Sequence, residues 1–102
     1  MKMAKYDAIM KEIAKLYFVA LRNMNYQSFN SDDSGYSPFK KYYSDVELAF
    51  TQLDKEKRTL ITKEYFYDDY RDWWIELYKP AKFLKLKKMA VKEFVEVFYA
   101  IH

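Results

Sequence analysis

The sequence predicts an all-α fold, a compact bundle of about five helices, and three observations carry that prediction. Among 102 residues there are 1 glycine and 2 prolines, too little turn material for the repeated tight reversals of a sheet. Apolar side chains recur three and four residues apart in successive segments, the period of a helix. A hydrophobic fraction of 51% and an aromatic fraction of 21% are ample for a core, because each buried aromatic takes roughly 150–250 Å² out of water. The length suits one domain, residues 1–102, divided into an N-terminal helix and loop over 1–36 and a helical portion over 37–102.

Tyr6, Ile9, Met10, Ile13, Leu16, Tyr17, Ala20 and Met24 lie at helical spacing and predict a first helix over 3–25. The stretch Gln27 to Ser37 is rich in Ser, Asn and Asp, which bond their own backbone, and holds the only glycine, Gly35, so it reads as a loop. Ser37 before Pro38 is one helix entrance, and Ser44-Asp45-Val46-Glu47 is a second, as a capping box. From there Val46, Ala49, Phe50 and Leu53 carry a helix to about Asp54. Asp54 can cap the next, in which Leu60, Ile61, Glu64 and Tyr65 continue to about Tyr67. Asp68-Asp69-Tyr70 reads as a turn, followed by a short helix at 70–78 and a long one at 80–101 with Pro80 in its first turn.

The formal net charge of +3 is too modest to imply a nucleic-acid partner by itself, so the distribution of charge decides. Glu64, Asp68, Asp69, Asp72 and Glu76 crowd one stretch, whereas Lys79 to Lys92 contains no acid. On the last helix, Phe83, Leu86, Ala90, Phe94, Val97 and Ile101 fall on one side and Lys82, Lys85, Lys88 and Lys92 roughly opposite. Leu84, Val91, Val95 and Phe98 form a second apolar stripe, which either the first helix covers or a second copy of the chain does, making a homodimer. Trp73 and Trp74 on a helix would diverge by about 100°, so one is expected in the core and the other under the first helix or at an interface.

Several functions find no support. The absence of cysteine excludes disulfides and thiolate chemistry and is compatible with a reducing compartment. The N-terminus has no apolar signal region and no run approaches the roughly 20 apolar residues of a membrane span, so the expectation is a cytoplasmic protein without a membrane partner. Glu64, Asp68, Asp72 and Glu76 recur every fourth residue and on an unbroken helix could attract Mg²⁺ or Ca²⁺, but the turn expected at 68–69 spoils that alignment. His102, at the end of the chain, is expected to fray. With no nucleophile motif, phosphate-cradling glycine loop or His/Cys cluster, we expect no enzyme, no cofactor, no metal and no small-molecule substrate.

Leu48-Ala49 through Leu53, then Arg58, Leu60-Ile61 and Tyr65-Phe66, resembles the opening of region 4 of bacterial sigma-70-type factors. Trp73-Trp74-Ile75-Glu76-Leu77-Tyr78 takes the place of that family's first helix-turn-helix helix, and Phe83, Leu86 and Ala90 match the apolar skeleton of its recognition helix. The resemblance covers roughly 46–98 and is closest to small region-4-like proteins of mollicutes. It implies a C-terminal helix-turn-helix at 70–98, a role in transcription regulation, duplex DNA as partner, and RNA polymerase as a further one. Carried across, Lys79, Lys82, Lys85 and Lys88 are the implied DNA contacts, with Lys92 continuing the same face. Lysines meet phosphates as point charges, so weakly specific binding is expected. Residues 1–36 are too few for the sigma region that grips polymerase, which favours a solitary accessory regulator. The competing readings are a merely solvated lysine face, and a protein-interaction module using Leu84, Val91, Val95 and Phe98.

Overall fold

A computed structural model describes the backbone of residues 3–29 and 38–102 and the side chains of 4–24 and 38–102. The fold is all-α, with four α-helices and no strand among the described residues: α1 (Met3–Phe29), α2 (Pro38–Thr51), α3 (Lys55–Ile61) and α4 (Pro80–Ile101). Ser37 and most of the expected loop lie outside the described residues, although α1 runs past Gln27 to Phe29. Helices α1 and α2 pack on each other and both pack on α4, which α3 also touches.

Periodicity places the core correctly with few exceptions. Met10, Ile13, Tyr17 and Ala20 of α1, Val46 and Ala49 of α2, Leu53, and Leu60 and Ile61 of α3 are buried. Leu16, expected inside, is exposed, and Ala14 is buried instead. Aromatic edges knit the helices together: Phe66 meets Tyr17 at 5.2 Å and Phe50 at 5.1 Å between ring centres, and Phe50 meets Phe94 at 4.9 Å.

Asp54 caps α3 as expected, its Oδ1 accepting from the Lys57 amide at 2.9 Å. Beyond Ile61 the chain widens into a π-helical stretch, Thr62–Phe66, closed by the Tyr67 amide donating to the Thr62 carbonyl at 2.8 Å. Phe66 follows Ile61 by five residues, the interval of a π turn, so both reach the core. Glu64 and Tyr65 are left only partly covered.

Two expectations at the α2 end are corrected. Ser44 to Glu47 does not start a helix, because α2 begins at Pro38 and runs through it. Its acids tie elements together instead: Glu47 accepts from the Tyr17 hydroxyl at 2.7 Å, and Asp45 Oδ2 accepts from Lys41 Nζ at 2.7 Å and lies 2.9 Å from His102 Nδ1. Nor does His102 fray. Its amide closes α4 on Phe98, and its ring stacks on Phe98 at 5.0 Å and meets the edge of Tyr42.

Burial opposes the charge on Asp45, but the bonds from Lys41 and His102 together outweigh it and hold the carboxyl below its usual 3.8. A carboxyl depressed in the folded state stabilises the fold above its unfolded pKa, and that contribution is lost as pH falls through the folded value. Asp45→Asn is therefore expected to cost about 1.5 kcal/mol at pH 7. Thermal melts from pH 6 to pH 2 should show the difference from wild type shrinking below pH 4; a constant difference would contradict this role.

Candidate nucleic-acid interface

The segment before α4 decides how that helix is presented. The short helix expected at 70–78 is absent: residues 71–77 form successive turns. Their amides reach back three residues, Trp73 to Tyr70, Ile75 to Asp72 and Leu77 to Trp74, and only Tyr78 to Trp74 spans four. The first of the two regular helices of a helix-turn-helix is thus not formed there. Abandoning the helical ladder lets both tryptophans meet one residue, contrary to the divergence expected of helical neighbours. Trp74 stacks on Phe83 at 4.3 Å with planes 4° apart, and Trp73 meets the same ring edge-on at 5.8 Å.

Glu64 completes the bracket. One carboxylate oxygen accepts from Trp73 Nε1 at 2.8 Å and the other from Lys87 Nζ at 3.0 Å, so the π-helical stretch, the turns and α4 share one side chain. Lys87 also lies over the Tyr65 ring at 5.4 Å. The Tyr65 hydroxyl donates to Asp7 of α1 at 2.6 Å, and burial followed by this bond pushes its pKa upward, keeping the phenol a donor. Neither Glu64 nor Lys87 stands out by composition. The wheel nevertheless marks Lys87, which sits four residues after buried Phe83 and three before buried Ala90, on the core side.

The other lysines of α4 face outward. Lys79, at the N-cap, and Lys82, Lys85, Lys88 and Lys92 are all exposed, and none of their side chains has an ion pair or hydrogen bond among the described residues. They span about 20 Å of helix at 1.5 Å per residue. Spaced three or four apart, they are like-charge neighbours on one surface, which destabilises a helix. The entry to α4 has no side-chain cap and no acid in its first turn, so cations sit where the helix dipole favours anions.

Of the four interface candidates only Leu84 is on the surface, 55% exposed. Val91, Val95 and Phe98 are at most 4% exposed, packed in the chain's own core where α1 and α2 close over α4. The second stripe is therefore not a dimer surface.

The chain matches no known family model, no curated protein and no solved structure.

An open cleft of about 680 Å³ lies beside the bracket, lined by Asp7, Tyr65, Asp68, Asp72, Trp74 and Lys87 among others. Its carboxylates outnumber its cations, so the cleft disfavours anions. The carboxylates at 64, 68, 72 and 76 do not converge on a cation, and no group of three potential ligands does so among the described residues. No described helix is long and apolar enough to cross a membrane.

Proposed function

We infer that this protein binds duplex DNA through the exposed face of α4 and acts as a small, non-enzymatic transcription regulator of the sigma-region-4-like kind. The observation that carries the reading is the sorting of lysines: Lys11, Lys41, Lys57 and Lys87 are paired with acids, whereas Lys79, Lys82, Lys85, Lys88 and Lys92 are exposed in one row without one. Such a row costs helix stability and is relieved by an anion spread along its length. A single helix fits the major groove, about 12 Å wide, with lysines reaching phosphates on its walls. Lys79 and Lys82 lie at the uncapped N-terminus, where free amides and the helix dipole also favour phosphate. A cytoplasmic location and contact with RNA polymerase belong to this proposal.

Each phosphate neutralised releases counterions, so affinity falls with salt with a logarithmic slope of about −0.9 per contact. If all five lysines engage, a mixed-sequence duplex titrated at increasing salt gives a slope of about −4.5. Absence of binding at low salt, or binding indifferent to salt, would remove the basis for this function.

A further inference from the structure

Resting on that reading, the residues among the lysines say what part of a base the helix can read. Helix α4 contains no Arg, Asn, Gln, Ser or Thr, so it lacks the amides that bond adenine edges in pairs and the planar fork of arginine, leaving only lysines, as point charges, to meet guanine. Between Lys79 and Lys92 its exposed apolar residues are Pro80, Ala81, Leu84 and Met89, with Leu84 55% and Met89 50% exposed. Leu84 is four residues from Lys88; Met89 is four from Lys85 and three from Lys92. On a helix those intervals make neighbours. Met89 therefore stands between cations that phosphates would hold at the groove walls, and Leu84 borders the same row beside Lys88.

One base feature in the major groove is apolar, the C5 methyl of thymine. We propose that Leu84 and Met89 contact thymine methyls, so that the helix prefers A·T-rich duplex DNA. The lysines supply affinity and fix the helix in the groove; the two apolar side chains supply the preference. Tyr99 is also exposed, but it lies two helical turns beyond Lys92, outside the lysine row. Thymine and uracil share every hydrogen-bonding group and differ in this methyl, so the exchange isolates the contact. A lysine reading guanine would not respond to it.

The test compares one A·T-rich duplex with the same duplex carrying deoxyuridine for thymidine, using wild-type protein and the Leu84→Ala/Met89→Ala variant. Both positions are solvent-exposed and alanine keeps helix propensity, so the variant folds, which circular dichroism verifies. Wild type is expected to bind the thymidine duplex roughly three- to fivefold more tightly per methyl buried. The variant should bind both duplexes alike, with the wild-type salt slope. Equal wild-type binding to the two duplexes overturns this inference and leaves the DNA-binding function standing. No binding to either at low salt overturns that function, and this inference with it.

Discussion

Replacing Lys82 and Lys85 by glutamate is expected to abolish duplex binding without loss of fold. Each exchange turns a positive charge negative, taking the formal net charge from +3 to −1. Two phosphate contacts disappear and two repulsive charges enter the middle of the row, so any binding left at low salt should have a slope shallower by about two. Stability should move in the opposite sense to binding. Both side chains are exposed and without an acidic partner among the described residues, and substitutions at such sites usually change stability by less than about 0.5 kcal/mol. Glutamate at position 82 moreover places an anion in a first turn that has none, where the helix dipole favours it. The double variant should therefore melt at or slightly above the wild-type temperature while failing to retard DNA in a mobility-shift assay. Wild-type binding by a folded variant would move the interface off this face.

Phe83→Ala is expected to have the largest effect on stability among changes near the interface. Phe83 is 3% exposed and joins the turns to α4, with Trp74 stacked on it, Trp73 on its edge and Tyr78 tilted against it at 6.1 Å. Truncating a buried phenylalanine costs about 3–5 kcal/mol through lost transfer energy and an incompletely collapsed cavity. That is a large part of the total stability of a domain this size and lowers Tm by on the order of 20 °C. Since both tryptophans rest on this ring, their fluorescence should shift red in the folded variant below its midpoint. A variant that melts like wild type would mean that the turns are held by the Glu64 bracket alone. DNA affinity should weaken as well, because Lys79 and Lys82 belong to the turn of α4 that Phe83 anchors.

Most of the fold was legible because it depends on local chemistry and periodicity. The span of α4, the Asp54 cap and the core positions of α1 follow from residues a few places apart. The turns at 71–77 were not legible, since they arise from both tryptophans converging on Phe83, a contact between segments. The same limit applied to charged residues. Ser44 and Glu47 have the spacing of a capping box, but the side chains of Asp45 and Glu47 bond His102, Lys41 and Tyr17, of which only Lys41 is nearby in sequence.

The sequence alone determined that the chain would be helical, and that its final helix would be apolar on one side and lysine-rich on the other, because side-chain direction along a helix follows from spacing. Only the tertiary structure decided which charges are spent inside the molecule and which remain outside. Lys87 and Lys88 are adjacent and chemically identical, yet Glu64 holds Lys87 while Lys88 stays exposed. Val91, Val95 and Phe98, by the same token, were an unassigned apolar stripe until neighbouring helices closed over them. Burial and ion pairing depend on what arrives from distant parts of the chain, and periodicity carries no information about that arrival.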